Sequence, residues 1–319
     1  MSFKIIGIGE VLWDLLPTGS EMGGAPANFA YHAHALGAQA RVITRVGNDA
    51  LGRGIIRRLG DMGLPVNGVQ VDESAPTGTV TVALSGNGVP EYTIHEQVAW
   101  DRIAATSETL ELVRDADAIC FGSLAQRSPV SRVSIQRLLS AAPAKAWRIL
   151  DINLRQPFYN REIIEHSLNL SNVLKLNEIE LPILARMFAG EGTIRQQMEL
   201  LAQRFKLQVV ALTRGPAGSL LYRDGAWSEH AACFAEVKDT VGAGDSFTAA
   251  LCLGLLDGLE LDKINDAASK VAAYVCGCSG ATPKLPTELR RVFCSRNGVA
   301  KTSIVPETTI VDLKWSPRR

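Results

Sequence analysis

The sequence predicts an α/β protein: a doubly wound, mostly parallel sheet flanked by helices, with a small separate sheet standing beside it. Three observations carry that prediction. From about residue 107 onward, helical periodicity alternates regularly with short apolar runs, the pattern of parallel strands joined by crossover helices. Three successive predicted strands end in polar or glycine-rich clusters: Asp151-Ile152-Asn153-Leu154-Arg155, Asn177-Glu178-Ile179-Glu180 and Thr213-Arg214-Gly215-Pro216-Ala217-Gly218. Open α/β sheets bind ligands at the carboxyl ends of their strands, so three such endings in a row point to a shared cleft. Between about residues 66 and 95, short strands follow one another without helices. They are expected to form the small sheet, able to cover a site and exclude water.

Taken in order, Phe3–Gly9 is apolar and β-branched, as a buried strand requires. Gly7-Ile8-Gly9 opens like a dinucleotide fingerprint, but Leu12 stands where the third glycine is due, which disfavours an oxidoreductase. Glu10–Leu16 reads as a more amphipathic strand carrying Asp14. Pro26 suits the first turn of a helix that runs to about Leu36 and stops at Gly37. Gly23 and Gly24 before it let backbone approach a ligand, and Asn28, one turn in, faces the same cleft. The plainer alternative is a simple turn with a surface Asn. Ala40–Gly47 is a strand and Asp49–Gly63 a helix. Val66–Val71, Gly78–Leu84 and Tyr92–His95 are the short strands, with Ser85-Gly86-Asn87-Gly88 as a joint. Helices over 107–116, 129–141, 160–170 and 193–205 lead into strands over 118–123, 147–153, 173–176 and 208–212. Ser219–Tyr222 and Ala226–His230 flank Arg223-Asp224-Gly225 as a hairpin. A helix over 262–276, a loop over Gly280–Pro286, a helix over Thr287–Arg296 and an extended stretch near Thr309–Leu313 complete the chain.

The chain is organised around Lys238-Asp239-Thr240-Val241-Gly242-Ala243-Gly244-Asp245-Ser246-Phe247, followed by an apolar run to Leu256. This reads as a small-residue loop entering a buried helix. The first turn of such a helix offers unpaired N–H groups and the positive end of its dipole, which suits a phosphate. A carboxylate at that turn, Asp245, suits acceptance of a proton from a hydroxyl attacking a phosphoryl group. The alternative is a helix N-cap.

Composition sets the remaining bounds. Lys+Arg and Asp+Glu are equal at 33 each, so no basic field for nucleic acid exists. No apolar run approaches the ~20 residues of a membrane span, and the start of the chain lacks a signal-peptide pattern, so a cytoplasmic protein is expected. Six scattered cysteines without C-x-x-C spacing read as reduced thiols. The five histidines show no ligand spacing.

Two motifs then give the chain a family resemblance. Gly23-Gly24-Ala25-Pro26-Ala27-Asn28-x-Ala30, with Gly37 and Gly47 spaced behind it, and Asp239-Thr240-x-Gly242-Ala243-Gly244-Asp245, with Ala249-Ala250-Leu251, resemble the two signatures of PfkB-type, ribokinase-like carbohydrate kinases. Asn177-x-x-Glu180 and Thr213-x-Gly215-x-x-Gly218 resemble further motifs of that family. The resemblance implies a kinase domain over 1–297, lid strands within 10–24 and 76–97, and a tail over 298–319 without an assigned role. It implies Asp245 as the base and the N–H groups of Gly242, Ala243 and Gly244 as an anion hole. It implies Asn177 and Glu180 placing Mg²⁺ largely through water. ATP would be bound by Thr213, Gly215 and Gly218, with Ala273 and Cys276 near its adenine. The sugar would be held by Asp14, Gly23, Gly24, Asn28 and Arg155. Asp239 and the Val241 carbonyl would form a K⁺ site, and two copies would pair through the small sheet. Gly9-Glu10-Val11-Leu12-Trp13-Asp14, the Gly-Gly-Ala-Pro form and Asp151–Pro157 are most similar to bacterial fructokinases. D-Fructose is therefore the expected acceptor, with 2-keto-3-deoxygluconate, ribose or a nucleoside as alternatives and a non-catalytic sugar-binding regulator as a further one.

Overall fold

The computed structural model describes residues 2–16, 19–84, 90–155, 157–233 and 236–293. The tail expected over 298–319, including the stretch near 309–313, lies outside them, as does the end of the helix expected to reach Arg296.

The first strand, β1 (Lys4–Ile8), is the third from one edge of a nine-stranded sheet. After it come β2 (Leu12–Leu16), β3 (Gly19–Gly23), helix α1 (Ala25–Ala35), β4 (Gln39–Gly47), α2 (Ala50–Asp61) and β5 (Val69–Asp72). Then follow β6 (Thr79–Leu84), β7 (Pro90–Ile94), α3 (Ser107–Arg114), β8 (Ala118–Phe121), α4 (Pro129–Ala141), β9 (Trp147–Asp151), α5 (Arg161–Leu170) and β10 (Val173–Asn177). The last elements are α6 (Glu180–Phe188), α7 (Ile194–Phe205), β11 (Val209–Thr213), β12 (Ser219–Arg223), β13 (Ala226–His230), α8 (Ala243–Leu256), α9 (Leu261–Cys276) and α10 (Thr287–Arg291).

The large sheet runs β13-β12-β11-β10-β9-β8-β1-β4-β5, parallel except for the β12 and β13 edge. The chain builds outward from β1 to β5, returns to β8 on the other side of β1, and continues outward again. That reversal is the switch point of a doubly wound sheet, where a cleft opens between diverging connections. Adjacent residues of each strand enter opposite cores. Ile5, Val42, Ile149, Val173 and Val209 face α1, α8 and α9, whereas Ile6, Ile43, Leu150, Leu174 and Val210 pack with residues of α4–α7. Strands buried on both faces need continuous apolar runs, and these have them.

The small sheet has the order β3-β2-β6-β7, with a core of little more than Leu12 and Val80. One strand expected there is elsewhere. Val69–Asp72, within the predicted strand 66–71, pairs parallel with β4 as the edge of the large sheet. The helix α2 joins them as a crossover, so this strand does alternate with a helix and belongs to the first half of the winding. Two elements escaped sequence reading. Exposed β3 lacks an apolar signal of its own and is covered only by the strand span 10–24, and α6 is a nine-residue helix whose start looked like a strand ending. Among the described residues, no helix is long and apolar enough to cross a membrane.

Candidate active site

The first turn of α8 anchors the site. Gly242 is its N-cap in the left-handed conformation, and residues 246–255 are buried, as expected for a helix apolar all round. Asp245 is not the cap. It stands inside the first turn, and its Oδ2 accepts a hydrogen bond of 2.9 Å from Asn28 Nδ2. That bond spans 217 residues of sequence and joins the two glycine-rich motifs at one point. Asn28 is buried in the first turn of α1, and its Oδ1 has no hydrogen-bond partner among the described residues.

The glycines here also answer to packing within the chain. A Cβ on Gly24, whose φ is 119°, would lie 2.4 Å from the Glu10 carbonyl oxygen, and one on Gly23 would lie 2.6 Å from Asp14 Oδ2. The space a side chain would need is filled by this chain's own atoms. Gly23 and Gly24 therefore let the end of β1, strand β2 of the small sheet and the start of α1 converge.

Below α8 lie the carboxyl ends of β9, β10 and β11. Strand parity sends Asp151 and Lys175 to the α8 face, and the two are cross-strand partners. Lys175 Nζ is 3.1 Å from Asp151 Oδ1, both side chains are buried, and Asp151 Oδ2 accepts the Thr248 hydroxyl of α8 at 2.7 Å. Asn177, opposite Thr213, caps α6: its Oδ1 accepts the N–H groups of Ile179 and Glu180. Glu180 is buried, and each carboxylate oxygen accepts a backbone N–H at 2.8 Å, one from Leu154 and one from Asn177. It thereby ties the endings of two strands together, with Asn153 at φ 41° making the turn that presents Leu154.

Charge is concentrated here. Burial, reinforced by the Asp151 carboxylate, raises the Asp245 pKa to about 6, while the Asn28 hydrogen bond, Lys175 and Arg155 pull it back. Burial likewise lifts Glu10 to about 7, with Asp245 adding to the shift and Arg155 and Arg127 opposing it. Asp14 is raised by burial and by its cross-strand neighbour Glu21, and is also within reach of Arg155. The charge of the exposed Arg155 thus opposes the rise at all three carboxyls, Glu10, Asp14 and Asp245. Sequence reading missed two members of this cluster. Glu10 is an acid just past the carboxyl end of β1, and Lys175 is a lone charge in the apolar strand Val-Leu-Lys-Leu-Asn. Both signals were present.

The remaining candidates sit around the loop into α8. The Cys276 carbonyl accepts the N–H groups of Lys238 and Asp239, so the end of α9, with half-buried Ala273 and Cys276, is stitched to that loop. Asp239 accepts Val241 N–H through Oδ1 and Gly280 N–H through Oδ2. Gly215 is exposed beside Glu178, whereas a Cβ on Gly218 would overlap the His230 carbonyl oxygen at 2.0 Å. Gly218 therefore lets the β12–β13 hairpin pass. Among the described residues, no three His, Cys, Asp or Glu side chains converge as a ready metal cage. With both Glu180 oxygens already on N–H groups, that carboxylate suits a cation held through water rather than directly.

The pfkB family carbohydrate kinase description matches residues 18–288. A fructokinase of Escherichia coli is 28% identical over 303 residues, spanning 90% of this chain and 97% of its own. The solved structure of an uncharacterized sugar kinase from Pyrococcus horikoshii in complex with ATP is 27% identical and covers 90% of this chain and 99% of that one, with a TM-score of 0.77. A 2-dehydro-3-deoxygluconokinase from Thermotoga maritima shares the fold, with a TM-score of 0.77 at 16% identity over 91% of this chain and 98% of its own.

Proposed function

The chain belongs to the pfkB family of carbohydrate kinases, and on that premise we propose that it transfers the γ-phosphoryl group of ATP to the 6-hydroxyl of D-fructose. The observation that carries the reading is the Asn28–Asp245 hydrogen bond, which brings both family motifs to the anion-binding end of α8. The segments similar to fructokinases, Gly9–Asp14, Gly23–Pro26 and Asp151–Arg155, surround the same point.

The chemistry follows from that arrangement. Asn28 holds Asp245 Oδ2 and leaves Oδ1 to accept the proton as the sugar oxygen attacks. The N–H groups of Gly242 and Gly244 would face the charge that gathers on the transferred group, joined by that of Ala243 once it leaves the Thr240 carbonyl, to which it donates at 3.3 Å. Such transfers pass through a loose transition state, so positioning and charge stabilisation supply most of the rate. Glu180 and the Asn177 amide would hold a nucleotide-bound Mg²⁺ through water, and that ion would offset phosphate charge. A K⁺ near Asp239 and the Val241 carbonyl would steady the same loop, and activity in K⁺ against Na⁺ reports on it. The lid strand carrying Asp14 and the turn at Gly24 enclose the sugar and keep water from the phosphoryl group.

The test is ADP release with Mg²⁺ and K⁺ across fructose, ribose, 2-keto-3-deoxygluconate, glucose and adenosine. Strong turnover with fructose alone is expected. Preferred turnover of another acceptor would overturn the fructose assignment and leave the kinase intact. Removing the lid carboxylate by Asp14→Ala is expected to raise sugar KM by about 10- to 100-fold, because sugar hydroxyls lose a charged acceptor. Unchanged KM and kcat would take Asp14 out of the site.

A further inference from the structure

Lys175 is a charged residue in an otherwise apolar strand, and it is 6% exposed. A Cβ on Gly244 would lie 2.9 Å from Nζ, so the ammonium is seated directly against the first turn of α8. Asp151 holds it from the opposite side at 3.1 Å and is itself fixed to α8 through Thr248. An ammonium carries three donors, and Asp151 is the one hydrogen-bond acceptor it meets among the described residues. The remaining donors are next to Gly244, in the zone where the anion hole forms.

A bare helix terminus would be a poor anion site here. Its dipole amounts to about half a positive charge. Three carboxylates, Asp151, Glu180 and Asp245, act on the Lys175 ammonium, with Asp151 in direct contact. Without a fixed cation they would repel an incoming phosphate. A buried ion pair kept only for stability is often no better than apolar residues of the same volume, so its retention against a glycine calls for another role.

We propose that Lys175 is a further ligand of the transferred phosphoryl group, completing the anion hole from beneath Gly244, and that Asp151 is its positioning residue. The proposal rests on the phosphoryl-transfer reading but not on the identity of the sugar. Burial works against the Lys175 charge, but Asp151, then Glu180 and Asp245, outweigh it and keep the group protonated at neutral pH.

The test compares calorimetric affinities of the full-length chain for ADP and for a non-hydrolysable ATP analogue, each with Mg²⁺. Lys175→Met is expected to weaken the analogue by about 10- to 100-fold while ADP changes by less than about threefold, since only the analogue carries the third phosphate. Lys175→Met also leaves Asp151 buried without a charged partner, which can unfold the chain. The double variant Lys175→Met/Asp151→Asn removes that charge and keeps an acceptor for Thr248. It should fold and show the same selective loss. A double variant with wild-type preference for the analogue overturns the proposal and leaves Lys175 a structural partner of Asp151. Equal wild-type affinity for both nucleotides also overturns it. Wild-type preference for the analogue, lost in the double variant, supports it even where no sugar of the panel is phosphorylated, and only the acceptor assignment then fails.

Discussion

Asp245→Asn is expected to lower kcat by about 10²- to 10⁴-fold, with sugar KM within about threefold of wild type. The substitution is nearly isosteric, and the amide oxygen can still accept the Asn28 N–H at 2.9 Å, so the junction of the two motifs survives. What disappears is the oxygen able to take a proton. The fold should gain rather than lose stability. The Asp245 pKa is raised to about 6 by burial and by Asp151, so its ionisation works against folding as pH climbs from the unfolded carboxylate range through about 6. Removing the charge removes that penalty, and Tm at pH 8 should hold or rise. Activity has the opposite pH dependence, because the base works only when ionised: wild-type kcat/KM should increase with pH through about 6. That limb should vanish from the residual activity of the variant. A variant retaining most of its kcat, or keeping the limb, would falsify the assignment of Asp245 as the base.

The sequence made the winding legible because strands buried on both faces cannot hide. Val173–Asn177 and Val209–Thr213 are apolar runs bounded by helices, and their polar endings mark the cleft from the sequence alone. Three-dimensional identity of neighbours was not legible. Val69–Asp72 is short and half-polar, and nothing local says whether it pairs with β4 or with the lid. Within the site, Asp245, Asn28 and the N–H groups of α8 were readable because glycine and proline punctuate their helix starts. The reason for the glycines was not, since it lies in atoms brought from elsewhere: the Glu10 carbonyl against Gly24, Lys175 against Gly244, Ala281 against Gly242. Glu180 was read as a metal-side group, and its hold on the N–H groups of Leu154 and Asn177 appears only once two strand endings are side by side.

Gly242→Ala is expected to reduce kcat by about 10²- to 10³-fold, the range seen when oxyanion-hole donors are removed, and to lower Tm as well. Two separate effects act at this position. Gly242 has φ 78°, a conformation that costs an alanine about 1–2 kcal/mol. Its Cβ would also lie 2.3 Å from the Ala281 carbonyl oxygen and 2.7 Å from the Ala281 Cα, and backbone cannot rotate out of the way. Nor is residue 281 free to move: His32 Nε2 is 2.9 Å from that carbonyl oxygen, and Asp239 Oδ2 holds the N–H of Gly280 at 3.1 Å. The strain must therefore be relieved by the loop that presents the N–H groups of residues 242–244, and a hole misplaced by a fraction of an ångström no longer fits the transition state. Gly258, at the other end of α8, separates the two effects. It has φ 65°, and a Cβ there would meet nothing within 4 Å, so Gly258→Ala imposes comparable backbone strain without the overlap. Gly258→Ala should lower Tm and leave kcat unchanged, while Gly242→Ala loses both. Equal kcat values for the two variants would show that the N–H groups at the start of α8 do not stabilise the transferred charge.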